Sequence, residues 1–318
     1  MSKSLLDAKA IHDEATAYAW VGARLWPEGP VCPHCGGVDR ISKMKGKSTR
    51  IGAYKCYQCR KPFTVKVGTV FEDSHVPMRH WLQAIYLMCS SKKGVSSNQL
   101  HRTLGVTLKT AWFMSHRLRE AMRVVGAEPM GGEGKIVEID ETIFGKQEGA
   151  PKDASFKGSN FRNIVLTLVE RGASARSFHV DGKSAAELAH VIRANVARET
   201  RIMTDEARQY KPIGHEFASH ESVDHKADEY VRGDVHTNTV EGFYSVFKRG
   251  MKGVYQHCGE RHLHRYICEF DFRYNNRVRL GIDDVERTEL ALKGIVGKRL
   301  TYQTTHNRAA IWQEPTQN

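Results

Sequence analysis

Four of the seven cysteines stand as two pairs, Cys32-Pro-His-Cys35 and Cys56-Tyr-Gln-Cys59, with twenty residues between them. Each pair can offer two sulfurs from one tight turn to one ion. The spacing predicts a tetrahedral four-thiolate site for one structural Zn²⁺, because four protein ligands leave no open position for a substrate. The other three, Cys89, Cys258 and Cys268, are scattered. An odd total and a charged opening, MSKSLLDAKAIHDE, argue against a disulfide framework and a secretory leader.

A second set of residues is acidic. Asp140 follows the apolar run Ile136-Val137-Glu138-Ile139, and Asp205 follows Ile202-Met203-Thr204. An acid at the end of an apolar strand loses hydration unless it is paired or bound to a cation. If the two strands are neighbours, both carboxylates reach one end of the sheet and can hold a hard cation such as Mg²⁺. Glu241 is the candidate for a third, on a helix whose apolar side is Val240, Phe243, Tyr244 and Phe247 and whose start Thr237 or Asn238 can cap. Lys248, two turns on, lies on nearly the same face and can reach a phosphate. Glu138, Glu141 and Glu206 adjoin these positions, and spacing alone does not rank them. His257, Cys258, His262 and His264 lack a second ligand pair and read as DNA-facing or packing residues.

These side chains need elements to position them. Ala8 to Leu25 reads as an amphipathic helix, the cysteine pairs as short strands joined by a basic loop, and Pro62 to Phe71 as a strand and turn closing a ribbon. After a helix over Met78 to Ser90, a short helix ends at Gly105 and another starts at the capping Thr107. That is a helix-turn-helix pattern, and its second helix would offer Lys109, Thr110, Ser115, His116 and Arg117, with Arg119, to a groove or to phosphates. A glycine-rich linker over 126–134 leads to three strands, a helix over Ser184 to Val196 and a strand over Arg201 to Asp205. This is the order of an RNase-H-like sheet. The fold expected is α+β and multidomain: an N-terminal helix and zinc ribbon (1–74), a helix-turn-helix region (75–128), an RNase-H-like, retroviral-integrase-type α/β catalytic domain (135–300) and a polar tail (301–318).

Charge points the same way. The formal net charge is +12, and residues 1–130 hold twenty Lys and Arg against nine Asp and Glu, whereas the remainder is nearly balanced. Confining the excess to one segment favours a nucleic-acid footprint over a generally basic surface. With 40% hydrophobic residues the chain is neither collagen-like nor wholly disordered. No apolar run approaches the ~18 residues of a membrane span.

Thirty-five residues separate Asp205 from Glu241, and an Asp, Asp, Glu series with this final interval resembles DDE transposases and retroviral-type integrases. The stretches CPHCG, VEIDETIFG, HTNTVEGFYSVFKRGMKGVYQH and HRYICEFDFRYNNR are similar to ISXO-type bacterial insertion-sequence transposases, over roughly residues 15 to 300. The resemblance implies that Asp140, Asp205 and Glu241 are the catalytic acids and hold two Mg²⁺ or Mn²⁺. It also selects Asp140 and Asp205 over the adjoining glutamates. Lys248 would contact substrate phosphate, and Arg249, Lys109, Arg117 and Arg119 would add DNA contacts. Some family members carry Asn or His at the third acid; Glu241 favours an intact enzyme. The implied activity is cleavage and strand transfer on double-stranded DNA, at element ends and target. A homo-oligomer in a synaptic complex and a bacterial cytoplasmic, nucleoid-associated location are implied with it. Two other readings share the zinc and DNA binding: a regulator without catalysis, and a nuclease that cuts without joining.

Overall fold

The computed structural model describes residues 4–151 and 161–301, so the tail expected from 301 falls almost wholly outside the described residues. The chain divides into two compact units, one built from residues up to Ser91, Val95–Arg123 and the segment after Gly281, the other from Lys92–Gly94 and Val124–Gly281.

In the first unit the expected N-terminal helix is two, α1 (Lys9–His12) and α2 (Glu14–Leu25). Asp13 causes the break: its carboxylate accepts the Thr16 N–H at 2.8 Å and starts α2 afresh. The ribbon is a three-stranded antiparallel sheet of β1 (Ile41–Lys43), β2 (Tyr54–Cys56) and β3 (Pro62–Phe63). Of the strand and turn expected over Pro62 to Phe71, the strand ends at Phe63 and the turn takes the rest. Val65, Val70 and Phe71 are buried, and the chain turns through Val67 N–H to Thr64 O and Thr69 N–H to Lys66 O. Phe71 then packs on Trp81, ring centroids 4.9 Å apart.

Three helices follow, α3 (Met78–Ser90), α4 (Ser97–Leu104) and α5 (Leu108–Met122). Gly105 ends α4 with a left-handed φ of 66°, where a side chain would be strained. Thr107 Oγ1 accepts the Thr110 N–H at 3.1 Å and caps α5.

The second unit is a mixed sheet between helices. Its strands are β4 (Ile136–Phe144), β5 (Asn163–Glu170), β6 (Ala175–Val180), β7 (Arg201–Asp205) and β8 (Ser219–Val223), in the order β6-β5-β4-β7-β8. β4, β5 and β6 pair antiparallel, while β7 runs parallel to both β4 and β8. The helices are α6 (Ala185–Asn195), the one-turn α7 (Lys211–Gly214), α8 (Asn238–Gly250) and α9 (Glu260–Asn275). Alternation along β4 sets the two faces. Val137 and Ile139 join Leu188 and Ile192 of α6 in one core. On the other face Val165 and Val169 of β5 pack with Val240, Phe243 and Phe247 of α8 and Leu263 and Ile267 of α9. Glu138 and Asp140 therefore point to the α8 side.

The last helix among the described residues, α10 (Asp284–Lys293), belongs to the first unit. Glu289 pairs with Arg24 at 2.6 Å, and Arg287 donates to Cys89 O at 2.8 Å. A catalytic domain running unbroken to 300 thus differs from the observed division: the buried Ala291 and Leu292 of α10 lie in the first unit. Among the described residues no helix is long and apolar enough to cross a membrane.

Candidate metal centre and acidic site

Cys32, Cys35, Cys56 and Cys59 have their sulfurs all within 4.8 Å of one another. The Cys32 to Cys59 and Cys35 to Cys56 separations are both 3.7 Å. A tetrahedral ion with bonds of ~2.3 Å sets its ligands ~3.8 Å apart, so the four thiols fit Zn²⁺. The N–H groups of Cys59 and Gln58 draw the Cys56 thiol down to about 7, against its burial. Trp26, Tyr54 and Phe63 back the site, with neighbouring ring centroids 5.7–5.8 Å apart. So small a ribbon has little other core, and zinc would supply much of its folding energy.

The acids lie in the second unit. Asp140 is within β4 rather than at its end, paired with Thr167 of β5. An end is nevertheless made beside it. The parallel ladder of β4 and β7 runs only to the pair Glu138 and Met203. Carried two residues on, that register sets Asp140 level with Asp205, where the strands have parted. The carboxyl ends of parallel strands are where open sheets bind ligands.

Burial pushes the Asp140 carboxyl up to about 8, and the charges of Glu141, Asp205 and Glu241 add to the rise. Burial also raises Asp205, opposed by the Ala207 N–H and furthered by Glu141 and Glu206, while His225 draws it back. Asp140 thus feels the charge of both Asp205 and Glu241. Their oxygens are not gathered within 4.8 Å as the sulfurs are, as expected of like charges facing one another. Three carboxylates turned toward one another are the hard oxygen donors that suit a divalent cation.

Glu241 is placed by two anchors on α8. At the start of the helix, Glu138 accepts from Thr239 N and Oγ1, both at 2.7 Å, and from Val240 N at 3.0 Å. One turn after Glu241, the Tyr244 hydroxyl reaches the backbone oxygens of Asp140 at 2.6 Å and Val165 at 3.0 Å. The cap expected from Thr237 or Asn238 is thus supplied across the fold by Glu138. The side chain of Thr237 makes no cap and donates to Glu241 Oε1 at 3.0 Å.

Spacing left three adjoining glutamates unranked, and their contacts separate them. Glu138, wholly buried, also takes Arg171 Nε at 2.6 Å and lies 3.2 Å from His236 Nδ1. Glu141 points to the opposite face, bound by Lys183 Nζ at 3.1 Å, Gln209 Nε2 at 2.9 Å and the Tyr210 hydroxyl. Glu206 accepts from His225 N at 3.2 Å and Lys226 Nζ at 3.1 Å. Asp140 and Asp205 each have one backbone donor, Glu141 N at 2.7 Å and Ala207 N at 3.1 Å. His225 was missed by sequence reasoning: its Nε2 lies 3.7 Å from Glu241 Oε1.

Two expected DNA contacts require correction. Arg117 and Arg119 are 7% and 1% exposed. Arg117 donates to Val70 O and Glu72 O at 2.9 and 2.7 Å and covers the Phe113 ring; Arg119 donates to Ser115 Oγ at 3.0 Å. Ser115 and His116 are buried with them. α5 packs against α3, α4 and α10, so more than one of its faces is interior. Lys109 and Thr110, on its first turn, are exposed and half-buried. In the second unit Lys248 Nζ lies 5.8 Å over the Tyr244 ring, and Arg249 is exposed with Nε on Ser245 O at 3.0 Å.

Both parts of the chain have known relatives. Residues 131–275, β4 through α9, match the ISXO2-like transposase domain, and residues 12–62, α2 and the ribbon, match the transposase zinc-ribbon domain. A protein described as uncharacterized in transposable element ISH50 of Halobacterium salinarum is 30% identical over 251 residues, 70% of this chain and 78% of that protein. The chain belongs to the ISXO2-like transposase family.

Proposed function

We propose that this chain is the DDE transposase of an insertion sequence, with an RNase-H-like catalytic sheet and Asp140, Asp205 and Glu241 as its metal-binding catalytic acids. The observation that carries the reading is the register of β4 and β7, which brings Asp140 level with Asp205 on the side facing Glu241. Two divalent ions, Mg²⁺ or Mn²⁺, would supply the stabilisation of the attacking and leaving oxygens that phosphodiester cleavage requires. Asp140, Asp205 and Glu241 would hold these ions, and Glu138 and Tyr244 keep Glu241 in place through their anchors on α8. Lys248, seven residues after Glu241 on α8, is placed for a phosphate oxygen, with Arg249 beside it. The same acids serve hydrolysis at an element end and then attack of the freed 3′-hydroxyl on target DNA.

The zinc ribbon and the α4–α5 pair, read as a helix-turn-helix, bind the terminal repeats in double-stranded DNA, with exposed Lys109 among the phosphate contacts. Two ends must be held together for joining, which calls for a homo-oligomeric synaptic complex. A protein acting on chromosomal DNA would reside in the bacterial cytoplasm with the nucleoid. The test is an assay with Mg²⁺ or Mn²⁺ and labelled element ends. Cut and joined products are expected, with both lost in Asp140→Asn, Asp205→Asn and Glu241→Gln while DNA binding persists. Cutting without joining would identify a nuclease, and binding without either product a regulator.

A further inference from the structure

His225 sits in the turn after β8, and its placement is fixed from several sides. Its N–H is held by Glu206 at 3.2 Å, and the Asp224 carboxylate closes the turn on Lys226 and Ala227 N–H at 3.0 and 3.3 Å. The ring packs against Tyr230, centroids 5.1 Å apart. This leaves Nε2 facing Glu241, 3.7 Å from its Oε1 and 3.5 Å from Thr237 Oγ1, which itself donates to Glu241, while the ring also lowers the proton affinity of Asp205.

We propose that His225 is a nitrogen ligand of the divalent cation held by Asp205 and Glu241, an inference that rests on the acidic site assigned above. Around an octahedral ion with bonds of ~2.1 Å, neighbouring (cis) ligand atoms lie ~3.0 Å apart and opposite (trans) ones ~4.2 Å. Nε2 and Oε1 are 3.7 Å apart, so the two side chains would close by ~0.7 Å to take cis positions on one ion. A simple ion pair would need a protonated ring, whereas a ligand must be the neutral imidazole with a lone pair on Nε2. Glu206 acts here as a positioning residue, holding the backbone of His225. Thr237 does the same for Glu241. A nitrogen donor among carboxylates moves the site's preference from Mg²⁺ toward Mn²⁺ and later transition ions.

Pulsed electron paramagnetic resonance on the untagged full chain, loaded with substoichiometric Mn²⁺, reads nitrogen ligation directly. The expected result is ¹⁴N modulation of the Mn²⁺ echo. It should change to a ¹⁵N pattern when the histidines are ¹⁵N-labelled, and disappear in His225→Gln, with His225→Asn as a second variant. Mn²⁺ bound without nitrogen modulation, or modulation that survives in either variant, would overturn the inference and leave the acidic site standing. Mn²⁺ binding unchanged by Asp140→Asn and Asp205→Asn would instead remove the acidic site, and this role for His225 with it.

Discussion

Glu138 and Thr239 are joined by two hydrogen bonds of 2.7 Å, one from the main-chain N–H and one from Oγ1. The pair ties β4, two residues before Asp140, to the first turn of α8, and so fixes Glu241 relative to Asp140. A buried carboxylate is costly unless its lone pairs are filled, and Arg171, Thr239 and Val240 fill them. Glu138→Ala leaves Arg171 without that partner and should lower stability by about 3 kcal/mol. Thr239→Val, which removes one of several bonds, should cost about 1 kcal/mol. Chemical denaturation midpoints read both.

The two kinds of basic residue on α5 should separate experimentally. Arg119→Ala opens the core and should destabilise the chain by about 2 kcal/mol. Its effect on the salt dependence of DNA binding should be nil once folded protein is compared. Lys109→Ala should leave stability unchanged and reduce the slope of log affinity against log salt by about 1. Binding titrations over a salt series measure this.

The zinc site can be removed by itself. Cys56→Ser or Cys59→Ser should abolish the bound zinc equivalent and unfold the ribbon, because β1, β2 and β3 span only a few residues each. Element-end binding should weaken. Metal analysis together with Trp26 fluorescence would record the loss, and an unchanged zinc content would count against the site.

A pH dependence follows from Asp271 of α9, which accepts Ser177 N–H at 2.8 Å and Ser177 Oγ at 2.7 Å. Burial pushes its carboxyl up to about 7, against those donors. Above ~4 the unfolded chain has released this proton while the folded state keeps it. The contribution is therefore complete below ~4 and is lost as pH rises through about 7, at no more than ~1.4 kcal/mol per pH unit. Asp271→Asn should flatten that fall in thermal unfolding midpoints, while wild type retains it.

Legibility in the sequence followed physical simplicity. Alternation made β4, β5, β6, α6 and β7 readable within a residue or two, and the cysteine spacing made the ribbon readable outright. β8 was not readable: Ser219-His220-Glu221-Ser222-Val223 is half-buried at a sheet edge and carries little apolar signal. Arg117 and Arg119 misled because charge suggests exposure, whereas α5 is enclosed by other helices and its arginines find carbonyl and hydroxyl partners inside. Glu138 resembled Asp140 in spacing, and only the arrival of α8 from a hundred residues away distinguishes a helix anchor from a facing acid. His225 had no local signal beyond its type, since its position depends on β8 lying beside β7.

The most direct test is anomalous diffraction from crystals of the full chain grown with Mn²⁺. The account predicts a manganese peak within ~2.5 Å of carboxylate oxygens of both Asp140 and Asp205, with Glu241 in contact with that ion or a second one. Manganese bound elsewhere in the crystal, with no peak at these acids, would contradict it.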